Sequence, residues 1–260
     1  MTAEQKNYWL TTAEMPRIES RPLPEKVDVA ILGAGFTGLS AARTLAKLGA
    51  RVAVLEAETV GWGASSRNGG MVLTGLKLGA ADLISRYGKE TTRRMFSASL
   101  EAISTVEQIV ADEKIDCDFC RCGHLEVANK PSHFHAFERS AETMERELNH
   151  SAQIVQRENL VTEIGSKVYF GGLVDDVSAG ANPARYVAGL ASAAVRAGAD
   201  VQERSRVEKI ESASNSGASG WKLSTTRGAI WARDVLVATS GYTGDSTPSL
   251  RRKLIPIGSY

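Results

Sequence analysis

Cysteine is nearly absent from this chain of 260 residues: Cys117, Cys120 and Cys122 are the three, crowded into one short stretch. That pattern excludes a disulfide framework and fits a reducing, cytoplasmic setting. Charge of one sign is also lacking. The formal net charge is +1, so no basic or acidic field points to nucleic acid or an anionic membrane. No apolar run approaches the roughly 20 residues that a membrane-spanning helix needs. The N-terminal stretch lacks the apolar segment of a secretory signal. Internal repeats and low-complexity tracts are missing too. What remains is a chain with 43% hydrophobic and 23% charged residues, the balance of a globular protein that buries a core as one large domain or two modest ones.

The residues that are present fall into an ordered series. Residues 1–26 carry Pro16, Pro22 and Pro24 and read as an extended arm. "VDVAIL" from Val27 is β-prone, "LSAARTLAKLG" favours a helix, and "RVAVLE" (Arg51–Glu56) is a second strand. Together they form a βαβ unit of about 30 residues. Residues 81–115 predict one helix, with Phe96, Leu100, Ile103, Val106 and Val110 on one face. "HLEVA" (His124–Ala128) predicts a strand, and residues 132–149 a second, more charged helix in which no special role is assigned. Asn182 as N-cap, Pro183 at the first helical position and Gly198 past the end frame a further helix. After "ADVQE", the strand-like "SRVEKIES", a turn at Ser214–Gly220, "WKLSTT" and "AIWARDVLVATSG" make an antiparallel excursion that ends on an apolar strand.

Between the first strand and the first helix lies "GAGFTG": Gly33, Ala34, Gly35, Phe36, Thr37 and Gly38. The hexapeptide alone is a weak signal, but its strand–turn–helix context makes it the fingerprint of a dinucleotide site. Gly33 permits the tight turn, Gly35 leaves room for a pyrophosphate, and Gly38 lets helix and strand pack closely. The helix N-terminus then faces the phosphates with free N–H groups. Glu56, about 20 residues on and followed by Ala57, is placed to accept hydrogen bonds from ribose hydroxyls. An acid there disfavours the 2′-phosphate of NADP.

A second Gly-rich stretch, "GWGASSRNGG" (Gly61–Gly70), leaves the same edge of the sheet. Gly63, Ala64, Gly69 and Gly70 let a backbone approach closely. Ser65, Ser66, Arg67 and Asn68 offer donors to phosphate and ribityl oxygens, with Arg67 a partner for the pyrophosphate. A solvated linker is the plain alternative. Trp62 is read as a loop anchor in preference to a stacking residue. Arg86, Arg93 and Arg94 read as a solvated helix face. Cys120, Cys122 and His124 alternate, with His133 and His135 nearby, but they lack a second zinc knuckle, so thiols are favoured and no metal site is assigned.

The block "VDVAILGAGFTGLSAARTLAKLGARVAVLEAETVGWGASSRNGG" resembles the start of the D-amino-acid-oxidase/glycine-oxidase superfamily of FAD-dependent amine oxidoreductases. It is especially similar to the gamma-glutamylputrescine oxidase-like branch, where a "GASGRNGG"-type loop follows the acidic residue; Ser66 stands where that branch usually carries glycine. "NYWL", "IDCDFCRCGHLEVA", "GANPARYVAGLASAAVRAGADVQE" and "VLVATSGYT" extend the likeness along the chain.

The resemblance implies an α/β fold, with a doubly wound, Rossmann-like FAD-binding domain interleaved with an α+β substrate domain. Its parts are expected at 27–80 and 151–245 for FAD and at 81–150 for substrate, with 246–260 beginning a return to the substrate domain. Val207 would meet adenine through its backbone, and Thr239 to Gly241 would close near the cofactor. The loop 61–70 would run from the adenosine side towards the flavin, without a covalent link, since it holds no histidine. The reaction implied is oxidation of an amine C–N bond, with a small-molecule amine and dioxygen as partners. No catalytic residue is assigned. Because "RRKLIPIGSY" stops on a β-prone stretch where the resembling fold continues, the chain is expected to be a fragment that is incompetent for turnover alone, binds FAD weakly and is poorly soluble. A nucleotide-binding module without turnover and an NAD-dependent dehydrogenase are the competing readings.

Overall fold

The computed structural model of the chain describes residues 7–215 and 218–257. In chain order, β1 (Lys26–Leu32) leads through the Gly-rich turn into α1 (Phe36–Lys47) and β2 (Val52–Leu55). Then come β3 (Met71–Val72), α2 (Ala80–Tyr87), α3 (Lys89–Glu113), β4 (His124–Val127), α4 (Pro131–Leu148), β5 (Gln153–Gln156), β6 (Gly171–Asp175) and β7 (Ala179–Gly180). The last stretch holds α5 (Pro183–Arg196), β8 (Asp200–Gln202), β9 (Val207–Asn215), β10 (Ala218–Thr225), β11 (Gly228–Val237) and the short α6 (Pro248–Arg251).

These elements form two compact units. The first contains the described residues up to Gly69, Ile115–Cys117 and the chain from Asn182 onward. Its centre is a six-stranded sheet in the order β8-β2-β1-β11-β10-β9. β8, β2, β1 and β11 run parallel, whereas β11, β10 and β9 are antiparallel. All four residues of β2 are buried, as are Ala30 and Ile31 on successive positions of β1. Burial on both faces is what a parallel sheet requires, and it explains why these strands read as unbroken apolar runs. Val27, Ala30, Leu32, Ala53, Leu55, Leu223, Ile230 and Ala232 make a continuous core. α1 packs along α5. The N-cap of α5 is as expected, with Asn182 Oδ1 accepting the Arg185 N–H at 3.1 Å.

The second unit runs from Gly70 to Lys114 and from Asp118 to Ala181. Here β4, β6 and β5 form an antiparallel sheet with β6 in the middle, and β3 pairs with β7. Residues 151–181, expected alongside the cofactor-binding strands, therefore sit in this unit. The reason is pairing: β5 adds to the edge of β6, with a register from Gln153↔Val174 to Gln156↔Gly171. Three residues cross the other way. Ile115 fills the space left by the missing side chain of Gly189, and the Asn182 N–H donates to the Cys117 carbonyl at 2.7 Å.

The single helix predicted over 81–115 is two helices. Gly88 has φ +78, which ends α2, and its carbonyl accepts the Thr92 N–H at 3.1 Å to start α3. The apolar face of α3 is otherwise as read, with Phe96 and Ile103 buried. The arm contains one short 3-10 turn at Trp9–Thr11, and no helix or strand occurs from there to β1. The turn expected at Ser214–Gly220 falls partly outside the described residues; β9 and β10 on either side pair antiparallel.

Candidate dinucleotide site at the carboxyl edge of the parallel sheet

The chain leaves β1 at Gly33 with φ +100, and the Gly33 N–H donates to the Leu55 carbonyl of β2 at 3.0 Å. A Cβ on Gly33 would lie 2.7 Å from the Ala238 carbonyl oxygen, beyond the end of β11. Glycine is thus required twice, by backbone angle and by the neighbouring strand. At Gly38, in the first turn of α1, a Cβ would lie 2.0 Å from the Gly33 carbonyl oxygen, so that glycine sets how closely helix and turn approach. Gly35 differs. It is the N-cap of α1, and a Cβ there would meet a side chain, Ser65 Oγ, at 2.7 Å.

Ser65 arrives from the second Gly-rich stretch. Its hydroxyl accepts the Phe36 N–H at 3.0 Å, at the N-terminus of α1. The neighbouring first-turn amides have no acceptor inside the helix, as in any α-helix. Ala34 is buried, Gly35 and Phe36 are half-buried, and Thr37 is exposed. Glu56, immediately after β2, turns back onto this loop. Its Oε2 accepts the Ala34 N–H at 2.7 Å and its Oε1 the Glu58 N–H at 2.9 Å. Each carboxylate oxygen keeps a further lone pair for another donor. Ala57 follows, half-buried.

The strand on the other side of β2 contributes as well. Glu203, one residue past β8, accepts the Val60 N–H at 2.7 Å, and Gly61 then donates to the Ala34 carbonyl at 3.0 Å. Arg206 pairs with Glu58 at 2.7 Å. Val207 is the next residue; it opens β9, pairs with Thr225 and packs against the core. On the β11 side, Thr239 Cα would be 3.6 Å from a Gly33 Cβ, and its hydroxyl bonds that of Thr243 at 2.6 Å. Gly241 faces Pro256.

Within the loop 61–70, the side chains are mostly occupied with one another. Arg67 Nε donates to the Trp62 carbonyl at 2.9 Å, and its guanidinium stacks 4.9 Å from the Trp62 ring centre. In this arrangement Arg67 is held by its own loop. The Trp62 ring meets Tyr242 edge-on at 5.6 Å, and Tyr242 also covers the bare backbone of Gly63. Asn68 Nδ2 donates to the carbonyls of Ala64 and Ser65 at 3.1 and 3.2 Å. Ser66, where the resembling loop carries glycine, is fully buried. Ala64 and Gly69 are exposed. Gly70 belongs to the second unit, with φ +74, and its carbonyl accepts the Ala181 N–H at 2.9 Å.

Glu203, Tyr242 and Asn7, all at or beside this arrangement, have no role that the sequence assigns. Their partners lie far along the chain, 143 residues apart for Glu203 and Val60, and no local pattern marks them.

The second unit holds a separate polar cluster that the sequence did not announce. His150, 6% exposed, donates from Nε2 to Asp175 at 3.0 Å; Thr74 Oγ1 also donates to Asp175, and the Val177 N–H does so at 2.9 Å. Burial works to raise the Asp175 carboxyl, but the donors His150, Thr74 and Val177 together outweigh it and hold the group at about 2. Cys120 and Cys122 are exposed and Cys117 is buried. Among the described residues, no group of three His, Cys, Asp or Glu is placed to hold a metal, and no helix is long and apolar enough to cross a membrane.

Comparison with known proteins gives the arrangement its relatives. The FAD dependent oxidoreductase family, DAO, matches residues 28–260. A probable oxidoreductase, OrdL, of Rhizobium meliloti is 33% identical over 254 residues, which is 97% of this chain and 58% of that protein. Gamma-glutamylputrescine oxidoreductase of Escherichia coli is 32% identical, over 89% of this chain and 53% of that protein. Among solved structures, glycine oxidase from Geobacillus kaustophilus superposes with a TM-score of 0.71 at 24% identity, over 87% of this chain and 59% of that one. The chain thus spans somewhat more than half the length of these relatives.

Proposed function

The chain belongs to the FAD-dependent oxidoreductase family, and from that membership we propose that its first unit holds the dinucleotide part of FAD in an enzyme that oxidises the C–N bond of an amine or amino acid. One observation carries the reading. The four parallel strands β8, β2, β1 and β11 all deliver their next residues, Glu203, Glu56, Gly33–Gly38 and Ala238–Thr239, to the same carboxyl edge. The connections run to opposite sides of β1, and ligands of doubly wound sheets bind at such a reversal of strand order.

The residues there fit the cofactor. Gly35 has no side chain where the pyrophosphate would rest, and the N-terminus of α1 favours its negative charge. Ser65, whose hydroxyl is already at the Phe36 N–H, would turn its own proton to a phosphate oxygen. Glu56 would take the ribose hydroxyls on the lone pairs that Ala34 and Glu58 leave free. Backbone groups of Val207 would border the adenine, and Thr239 to Gly241 the path towards the flavin. The loop 61–70 would lie along the cofactor, with Arg67 leaving the Trp62 carbonyl to reach the pyrophosphate. FAD, when bound, supplies the electron acceptor for a hydride equivalent from the carbon beside the substrate nitrogen, and dioxygen is the reoxidant. The chain's part is to bind, orient and exclude water.

For substrate, the name of the Escherichia coli relative favours a gamma-glutamylputrescine-like amine first, and the sequence resemblance puts secondary amines or glycine-like amino acids next. The test has two stages. Apo chain titrated with FAD should quench flavin fluorescence with saturable binding, and Gly35→Val should abolish it. A panel of amines is then read by peroxide release. Activity confined to a hydroxy acid, or a preference for NAD over FAD, would refute the reading.

A further inference from the structure

The "NYWL" segment near the N-terminus has no part in the nucleotide fingerprint, yet its first side chain reaches 59 residues along the chain to the loop 61–70. Asn7 Nδ2 donates to both the carbonyl oxygen and the hydroxyl of Ser66, each at 2.9 Å. The other end of the same amide is fixed, because Asn7 Oδ1 accepts the Trp9 N–H at 3.1 Å. That bond settles which way the amide points and leaves its NH₂ facing the loop.

Two further attachments follow along the arm. The Thr12 carbonyl accepts Arg185 Nε at 2.8 Å, and its hydroxyl accepts Asn182 Nδ2 at 2.8 Å, both at the start of α5. The methyl of Met15 lies 3.6 Å from where a Gly61 Cβ would be. Among the described residues the Ser66 hydroxyl is paired with Asn7, and Ser66 is 0% exposed, so without Asn7 a buried polar group would lose its partner. Its neighbour Ser65 is the residue whose hydroxyl meets the Phe36 N–H at the N-terminus of α1.

We propose that residues 7–15 form a strap that fixes the conformation of the loop 61–70, and that Asn7 is a positioning residue for the dinucleotide, acting through Ser66 on Ser65. The ligand part rests on the FAD reading above; the ordering of the loop does not. The strap is pinned at both ends to the first unit, at Ser66 and at the N-cap of α5. It thereby limits the rotation of the loop backbone that would carry Ser65 away from the fingerprint.

Asn7→Asp tests this with little change of shape. It retains the acceptor for the Trp9 N–H and replaces the donor to Ser66 by an oxygen. Hydrogen exchange of the apo chain should show amides in 61–70 exchanging roughly tenfold faster, as expected for loss of the donor to the buried Ser66 carbonyl, while β1, β2 and α5 stay unchanged. FAD affinity should fall by about tenfold, with a fall of only a few degrees in the apo melting temperature. Ser66→Gly, which keeps the carbonyl acceptor, should give a smaller loss, and Asn7→Asp on that background should add less than it does alone. Unchanged exchange in 61–70 would overturn the strap. Faster exchange with unchanged FAD affinity would overturn the positioning role of Asn7. A parent chain that binds no FAD would refute the functional reading, and the exchange comparison would still decide the strap.

Discussion

Replacing Gly38 by alanine separates packing from ligand binding at the fingerprint. The added Cβ would lie 2.0 Å from the Gly33 carbonyl oxygen and 3.3 Å from Ile31 Cγ2. The carbonyl is held against rotation, because it shares its peptide plane with the Ala34 N–H, which donates to Glu56 Oε2 at 2.7 Å. α1 must therefore move off the turn by an ångström or more, against its packing on α5. Overpacking of this kind costs about 3 kcal/mol. Alanine recovers about 1 kcal/mol in helix propensity. The net expectation is a loss of about 2 kcal/mol, read by urea unfolding of the apo chain at pH 7. Gly35→Ala provides the contrast. Its Cβ meets only Ser65 Oγ, which changes rotamer at the cost of one hydrogen bond to Phe36, about 1 kcal/mol. That variant should keep most of its stability and lose FAD affinity. A Gly38→Ala chain as stable as its parent would refute the reasoning, since the clash is with backbone.

Three further outcomes are expected. Glu56→Ala should raise the dissociation constant for FAD roughly tenfold to a hundredfold in a fluorescence titration, through loss of charge-assisted hydrogen bonds; an unchanged value would place the carboxylate away from the ribose. The Asp175 carboxyl is held at about 2 in the folded chain, below its ordinary 3.8. Its charged form therefore stabilises the fold fully above about pH 4, and that contribution, about 2 kcal/mol, is lost as pH falls to about 2. Unfolding free energies from urea titrations across that window should fall in the parent by this amount more than in Asp175→Asn; parallel curves would show that the carboxylate is not perturbed. Asn182→Ala should cost about 1–2 kcal/mol, because the residue both caps α5 and holds Thr12; a loss within error would mean that the cap is replaced by solvent.

Local chemistry accounts for what was legible beforehand. A turn that needs positive φ takes glycine at position 33, a helix that starts at Pro183 takes Asn182 as its cap, and strands buried on both faces read as "VDVAIL" and "RVAVLE". Each of these signals spans fewer than ten residues and is set by backbone sterics or solvent transfer, so the βαβ unit and its acid at position 56 could be read directly. The two-helix break at Gly88 was local too, but a lone glycine in a helical pattern does not reveal its φ.

Tertiary structure decided the rest, because pairing partners are chosen by shape and register across long separations. The placement of β11 beside β1, which brings Thr239 to Gly33, depends on which apolar strand completes the sheet. The allegiance of residues 151–181 follows from the free edge of β6. Glu203 at Val60, Tyr242 on Gly63, His150 at Asp175 and Asn7 at Ser66 are single polar or aromatic side chains whose roles exist only once the backbone has carried them to partners. No periodicity encodes such meetings, since each is fixed by the fold as a whole and not by the residues on either side.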